Sequence, residues 1–337
     1  MADPVYDLVP DALRDTARSA LSAAGAERVT ELRPVTGGAS ALAYRAEAGG
    51  RAYLLRLESG LNALQNPHHY PCLRAAAELG IAPPLRFVDA ARGVAVMDFV
   101  TQRPMAEYDG GPRALARDMG ALLRRLQETA KFPAPDITYR DLVGRMLESL
   151  RGSNVFARGL LDPHLAGFER IRAAYPWDDA ARVASHNDTN PRNVLFDGKR
   201  LWLVDWETAC TNEPLTDPAI VTHELAGTPE LQDALLRAWL GREPDRATRA
   251  RLVLMRQVTR AFFACALFRF FAGDPARAPD SDLRALTGEE FVAALHAGRL
   301  RMGSPELLYA FGKMFLAAFL AELSAPGFEE SLAAAGG

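Results

Sequence analysis

The sequence predicts an α+β fold with a small antiparallel β-sheet lobe at residues 1–100 and a larger, mainly helical lobe at residues 101–337. Three observations predict it. Short segments of alternating apolar and polar residues, separated by glycine turns, fill residues 27–100. Long segments of helical period dominate from residue 101 onward. One apolar hairpin interrupts these helices.

The first lobe begins with a helical segment from Asp11 to Gly25, which ends in a glycine typical of a helix cap. The segment "ERVTELRPV" is predicted as a strand, and "ALAYRAEA" and "RAYLLRL" as a hairpin around Gly49-Gly50. The second half of "PHHYPCLRAAAELG" is helical, and "LRFVDAARGVAVMDFV" contains two further strands. We therefore expect a small antiparallel sheet with one inserted helix.

The second lobe follows a predicted hinge at Asp98 to Arg103 and opens with an amphipathic helix, "GPRALARDMGALLRRLQETA". Its hairpin, "NVLFDGKRLWLVDW", is predicted as two short strands about Gly198. The longest apolar run, "MFLAAFLAEL", is too short to span a bilayer and is predicted as a packed C-terminal helix.

Composition narrows the class of protein. The formal net charge is −3, which argues against a nucleic-acid partner because such proteins usually carry a basic face. The chain has 3 cysteines, far apart, and this sparse count fits a reducing compartment. The N-terminal segment is acidic and lacks the apolar core of a signal peptide. We expect a cytoplasmic protein without a membrane partner.

Two features of the first lobe could bind phosphate. In "TGGASALAY", Gly37, Gly38 and Ser40 lie between two strands, where backbone N–H groups can cradle a phosphate. Taken alone, a Gly-Gly pair between strands is more often a simple turn. Arg56, on the third strand, could reach the same phosphates, although an ordinary solvent-facing arginine is the alternative.

The strongest motif lies in the second lobe. His186, Asp188 and Asn193 form the pattern H-x-D-x-x-x-x-N, and Asp205 follows 12 residues later in "DWE". The protein-kinase catalytic loop has a similar arrangement of residues. There, an aspartate receives the proton of the substrate hydroxyl, and an asparagine and a second aspartate ligate magnesium. The D-x-x-x-x-N spacing alone is common, but the flanking His186, apolar strand and "DWE" predict a kinase site that binds ATP and Mg²⁺.

At these motifs the chain resembles the aminoglycoside phosphotransferase/choline kinase superfamily, from about Glu31 to Glu224. The resemblance is carried by "HNDTNPRN" and "RLWLVDWE". The "HND" form and "DWETACTNEPLTDPAIVTHE" are closer to choline and ethanolamine kinases. The resemblance implies a protein-kinase-like bilobal fold and an ATP-dependent phosphotransferase that acts on an alcohol group.

The resemblance also implies roles for individual residues. Asp188 would be the general base, Asn193 and Asp205 would ligate Mg²⁺, and His186 would hold the loop. The implied nucleotide-binding residues are Gly37, Gly38, Ser40, Arg56, Asp98 and Val100, with Arg56 in place of the usual strand lysine. Glu224 would help to hold the substrate cation, and Glu207 would lie beside the second metal or the substrate amine. Apart from the resemblance, Trp206 is predicted to bind substrate because its aromatic face can contact a quaternary ammonium ion.

The chain departs from the family pattern at two places. Ala41 stands where an asparagine is frequent, and the inserted helix offers His69 or Tyr70 instead of a glutamate. Arg56 is therefore expected to lack an obvious acidic partner. These departures keep open a nucleotide-binding, pseudokinase-like module of low activity, although the intact set of Asp188, Asn193 and Asp205 favours an enzyme.

The acceptor is predicted to be a small hydroxylated amine such as choline or ethanolamine. Acidic groups and aromatic faces recognise quaternary ammonium ions, which cannot donate N–H hydrogen bonds. Aminoglycosides, thiamine and sugars stay open as alternative acceptors, and so does assembly into a homodimer.

Overall fold

The computed structural model describes residues 4–35, 41–58, 66–273 and 278–336. The chain divides into two compact units, both discontinuous in sequence. Unit 1 comprises Met1–Ala134, Val183–Thr211 and Glu224–Trp239, and unit 2 comprises Pro135–Arg182, Asn212–His223 and Leu240–Gly337. The predicted α+β class is confirmed. The predicted lobe boundary after residue 100 stays a prediction.

The helices and strands of the described residues are as follows. The strands are β1 Val29–Pro34, β2 Ala41–Ala48, β3 Arg51–Glu58, β4 Leu85–Asp89, β5 Val94–Asp98, β6 Val183–Ser185, β7 Val194–Phe196, β8 Leu201–Leu203 and β9 Cys210–Asn212. The helices are α1 Arg14–Ala23, α2 His69–Glu78, α3 Gly111–Thr129, α4 Tyr139–Gly152, α5 Asp162–Ala174, α6 Thr216–Glu224, α7 Pro229–Leu240, α8 Arg246–Phe268, α9 Gly288–His296, α10 Pro305–Leu323 and α11 Phe328–Ala335.

Unit 1 contains the predicted antiparallel sheet, with strand order β1-β2-β3-β5-β4 and α2 inserted between β3 and β4. The β2–β3 turn uses Gly49 and Gly50, whose φ angles of 56° and 75° lie in the left-handed region that glycine adopts without strain. The predicted sheet, its hairpin and its inserted helix are therefore confirmed.

The alternation of β3 decides which way Arg56 faces. Leu55 and Leu57 are both 0% exposed and belong to the core between the sheet and α1. Since successive strand residues point to opposite faces, Arg56 lies on the other face of the sheet. It pairs across the ladder with Ala43 on β2 and Ala95 on β5, two small residues that leave room for its side chain.

The later segments of unit 1 carry the catalytic motif. Strands β7 and β8 form the predicted hairpin about Gly198, which has a φ of 93°. Backbone hydrogen bonds fix the ends of β8: Leu203 N–H donates to the Ile81 carbonyl oxygen at 2.9 Å, and Val204 N–H donates to the Asn193 carbonyl oxygen at 3.0 Å. The segments that carry Asn193 and Asp205 are thereby tied to each other and to the chain beyond α2.

Unit 2 is helical, and α8 is its central element. Helix α8 packs against α4, α5, α10 and α11. Helix α10 contains the run predicted as a packed C-terminal helix, with Leu316 and Phe319 each 1% exposed. Among the described residues no single helix is both long and apolar enough to cross a membrane. Helices α10 and α11 meet the two requirements only as a pair, which is bent by 80°.

Candidate active site

The loop between β6 and β7 carries the candidate base and is shaped by Asn187. Its φ of 65° is left-handed, a conformation that asparagine tolerates better than most residues. The Asn187 Nδ2 donates to the Thr208 carbonyl oxygen at 2.9 Å and lies 3.2 Å from the Cys210 sulfur. Asn187 thus joins the loop to the segment that follows Asp205.

His186 anchors the same loop from the interior. It is 0% exposed, and its Nε2 donates to the Val204 carbonyl oxygen at 2.9 Å. The Thr208 hydroxyl donates to the His186 carbonyl oxygen at 2.9 Å, and the imidazole packs against Trp206 with ring centroids 4.5 Å apart. Burial lowers the pKa of His186 to about 4, so the ring is neutral at pH 7. These contacts agree with the expected structural role.

Two amide side chains hold the Asp188 carboxylate. Asn190 Nδ2 donates to Asp188 Oδ1 at 2.7 Å, and Asn193 Nδ2 donates to Oδ2 at 2.9 Å. The pKa of Asp188 is raised to about 6, mainly by burial and also by the nearby charges of Asp205 and Glu207, while the two amides oppose the shift. A carboxylate with this pKa is still largely ionised at pH 7 and is a stronger base than an exposed aspartate.

Asp205 lies just beyond β8 in a left-handed conformation, with a φ of 64°. Its Oδ1 is buried and accepts no hydrogen bond from the described part of the chain. The nearest cation is Arg56, whose Nη1 forms an ion pair with this oxygen at 3.1 Å. Asp205 therefore presents a carboxylate oxygen with lone pairs that no protein donor occupies.

Arg56 links three side chains around its guanidinium. Its Nη2 donates to Glu207 Oε2 at 2.8 Å, and its Nη1 lies 3.1 Å from Asp205 Oδ1 and 3.2 Å from His69 Nε2. The Arg56 side chain is only 12% exposed. The expectation that Arg56 lacks an acidic partner is wrong, because two carboxylates reach it from the segment after β8 instead of from α2.

A cavity of about 130 Å³ within unit 1 opens beside this cluster. Apolar side chains of the sheet and α2 form its walls, including Ala43, Leu54, Leu73 and Met97, and Arg56, His69 and Asp205 line its polar end. An apolar slot that ends at a cation and a carboxylate suits a flat aromatic ring joined to an anionic group. A larger cavity, about 330 Å³, lies within unit 2 and contains none of the predicted site residues.

The predicted nucleotide contacts differ in how the structure places them. Gly37, Gly38 and Ser40 lie outside the described residues. The N–H of Asp98 already donates to the Pro84 carbonyl oxygen at 2.9 Å, which narrows the predicted adenine contacts to the Asp98 carbonyl oxygen and Val100. The Asp98 carboxylate is held by the Arg86 guanidinium at 2.6 and 2.5 Å.

The three predicted substrate residues differ in their surroundings. Glu207 accepts from Arg56, and Trp206 is 1% exposed and packs edge-on against Phe132 at 6.0 Å. Glu224 is the last residue of α6, and its side chain is exposed. Nearby protein atoms raise the pKa of its carboxyl group, and the charge of Arg192 opposes this rise without cancelling it. The substrate roles of these three residues stay predictions.

Sequence reasoning missed three residues of this site: Asn190, His69 and Glu58. Asn190 could have been found, because it lies within the motif, two residues after Asp188. His69 was considered only as a substitute for a glutamate, and nothing in its spacing indicated that it contacts Arg56. Glu58, whose Oε1 lies 3.5 Å from His69 Nδ1, gave no signal at all.

The donor set suits a hard cation. Among the described residues no group of three or more His, Cys, Asp or Glu could hold a metal ion. Magnesium needs no such group, because it binds one or two protein oxygens and completes its shell with water and phosphate. Asn193 donates through its Nδ2 to Asp188, which leaves its amide oxygen for another partner, and Asp205 Oδ1 accepts no hydrogen bond. These two oxygens fit Mg²⁺.

A family profile and a curated relative each match part of the sequence. The sequence profile of the phosphotransferase enzyme family matches residues 31–252. The chain is 39% identical over 54 residues to protein LicA of Haemophilus influenzae, a match that spans 16% of this chain and only 20% of LicA.

Two solved structures share the fold. A choline/ethanolamine kinase family protein from Mesorhizobium loti is similar with a TM-score of 0.70 and 23% identity, over 96% of this chain and 99% of that chain. Spectinomycin phosphotransferase in complex with ADP and spectinomycin is similar with a TM-score of 0.58 and 12% identity, over 93% and 98% of the two chains.

Proposed function

This chain belongs to the phosphotransferase enzyme family, whose profile matches more than half of its residues. We propose that it transfers the γ-phosphoryl group of ATP to the hydroxyl of a small cationic alcohol such as choline or ethanolamine. The observation that supports a kinase reaction most strongly is the Asp188 carboxylate, held by Asn190 and Asn193 with a pKa raised to about 6.

Asp188 acts as the base. Its carboxylate accepts the proton of the acceptor hydroxyl as that oxygen attacks the γ-phosphorus, the bond from the γ-phosphorus to the bridging oxygen breaks, and ADP leaves with that oxygen. Asn190 and Asn193 each occupy one of its two oxygens and so fix its orientation, and each oxygen keeps lone pairs for the substrate. His186 and Asn187 hold the loop in place from behind.

The nucleotide occupies the cavity of unit 1. Its adenine ring packs among the apolar walls, and its phosphates lie toward Arg56. Asn193 and Asp205 would hold Mg²⁺, which when bound neutralises the charge that develops on the transferred phosphoryl group. Arg56, which is always protonated, adds a fixed positive charge at the same end of the cavity.

The cationic acceptor is supported by the acidic residues that follow Asp205 and by the name of a structural relative. Glu207 and Glu224 supply negative charge, and the Mesorhizobium loti protein of similar fold is named as a choline/ethanolamine kinase family protein. The spectinomycin phosphotransferase of similar fold keeps an aminoglycoside-like acceptor as the second candidate.

An ATP-consumption assay across choline, ethanolamine, thiamine, a sugar and spectinomycin tests the proposal. We expect turnover with an amino alcohol, and Asp188→Asn should lower it about 10²–10⁴-fold, which excludes a contaminating ATPase. Glu224→Gln should raise the acceptor KM and spare the ATP KM, while the exposed control Glu230→Gln should change neither. If the best acceptor is uncharged, the cationic-alcohol assignment is wrong. If ATP binds but is consumed with none of them, a pseudokinase-like module becomes the better description.

A further inference from the structure

We propose that His69, supported by Glu58, is a positioning residue that holds Arg56 through a neutral imidazole. This inference rests on the proposed function, in which Arg56 provides the fixed positive charge for the phosphates. It gives a positioning role to His69, the first residue of α2, which lies outside the kinase motif.

The hydrogen-bonding chemistry determines the tautomer of His69. Its Nε2 lies 3.2 Å from Arg56 Nη1. A guanidinium has only donors, so Nε2 must carry a lone pair and accept. The ring proton then resides on Nδ1, which lies 3.5 Å from Glu58 Oε1. The opposite tautomer would bring two N–H groups together and leave the carboxylate facing a lone pair.

The ring is held in this orientation from several sides. His69 is 6% exposed, and its imidazole stacks on Tyr70 with ring centroids 4.5 Å apart. Glu58 and Arg56 are two residues apart on β3, so their side chains leave the same face of the sheet. The imidazole from α2 lies between these two side chains and connects them.

The charge state follows from the surroundings. Burial, together with the charge of Arg56, lowers the pKa of His69 to about 3, so the ring is neutral at pH 7. A neutral acceptor orients Arg56 without cancelling its charge, unlike a carboxylate at the same place. Asp205 forms an ion pair with Arg56 Nη1, and Glu207 accepts a hydrogen bond from Nη2.

Calorimetric titration with ATP tests the inference by a binding readout that needs no acceptor. His69→Leu removes the hydrogen-bond acceptor for Arg56 but keeps a side chain of similar apolar volume. We expect ATP affinity to fall by about 10- to 100-fold, as for a lost hydrogen bond to a charged group. His69→Gln restores a neutral acceptor and should recover most of that loss. The matched control is His68→Leu at the preceding residue, which should leave affinity unchanged.

A double-mutant cycle separates positioning from packing. In an Arg56→Ala background, His69→Leu should cause little further loss of ATP affinity, because the residue that it positions is gone. Full additivity of the two losses, or unchanged affinity in His69→Leu, would overturn the inference.

A measurement without any substitution gives a second test. In the ¹⁵N spectrum of the histidine-labelled wild-type protein at pH 7, His69 should show a neutral ring with the proton on Nδ1. A proton on Nε2, or an imidazolium, would contradict the assignment even if every variant failed to fold. A wild-type protein that binds ATP but transfers no phosphoryl group would refute the proposed kinase function. The ATP-binding results for the His69 variants would still test whether His69 positions Arg56.

Discussion

Replacing Asp188 with asparagine should make the ligand-free protein more stable at alkaline pH while it removes the base. The folded protein raises the pKa of this carboxyl group from 3.8 to about 6. The folded state therefore holds the proton more tightly than the unfolded state. The resulting stabilisation is present below pH 3.8 and is lost as the pH rises to about 6. Above that pH, the ionised carboxylate is a net cost to folding.

The size of the effect follows from two opposing contributions. At about 1.4 kcal/mol for each pKa unit, the shift corresponds to roughly 3 kcal/mol against the ionised form. Asparagine removes that cost. Its NH₂ group, however, must face the Nδ2 of either Asn190 or Asn193, which loses one hydrogen bond worth about 1–2 kcal/mol. We expect a net gain of about 1–2 kcal/mol at pH 8 and a net loss of similar size at pH 3.5.

Thermal unfolding of wild type and Asp188→Asn from pH 3.5 to 8, in chelator and without nucleotide, measures this difference. Asp197→Asn is the matched control on the adjoining hairpin. Burial would raise the pKa of Asp197, but hydrogen bonds from Trp202 and two backbone N–H groups hold it below its usual value. This variant should therefore lose stability at pH 8. Turnover of Asp188→Asn should fall about 10²–10⁴-fold. If Asp188→Asn is less stable than wild type at pH 8, the argument that burial of the Asp188 carboxylate opposes folding is wrong.

Three further predictions concern the same unit. Asp205→Ala should abolish the Mg²⁺-dependent part of ATP affinity, which calorimetry with and without the metal would detect; equal loss in both conditions would contradict the metal role. Asn187→Ala should destabilise the fold by about 1 kcal/mol more than Asn187→Gly in chemical denaturation, because φ is 65° there. Acid should destabilise the protein between pH 6.5 and 4.5, because His69 and His186, with pKa values lowered to about 3 and 4, bind protons mainly when unfolded. Asp188, with its pKa raised to about 6, opposes this but offsets only one of the two histidines. Each histidine costs up to about 1.4 kcal/mol per pH unit, and a flat stability curve between pH 6.5 and 4.5 would contradict this reasoning.

Residue pattern and spacing alone predicted the sheet, the helices α1, α2, α3 and α10, and the catalytic motif. Alternation of apolar residues predicts the strands, and glycines at 49–50 and 198 mark the turns, because φ and side-chain period depend on neighbouring residues only. Asp188 and Asn193 are five residues apart, so a single loop brings them together whatever the rest of the chain does. Such local features can be predicted from spacing.

The surroundings of Arg56 depend on contacts between distant parts of the chain. Glu207 lies 151 residues further along the chain, yet its carboxylate accepts from the Arg56 guanidinium at 2.8 Å. His69 meets the same group from α2, and the pKa of Asp188 depends on burial and on the charges of Asp205 and Glu207. No periodicity or motif encodes these contacts, because the distance between two charges and the water excluded around them are properties of packing. The acidic partners of Arg56 were in the sequence, but only folding placed them beside it.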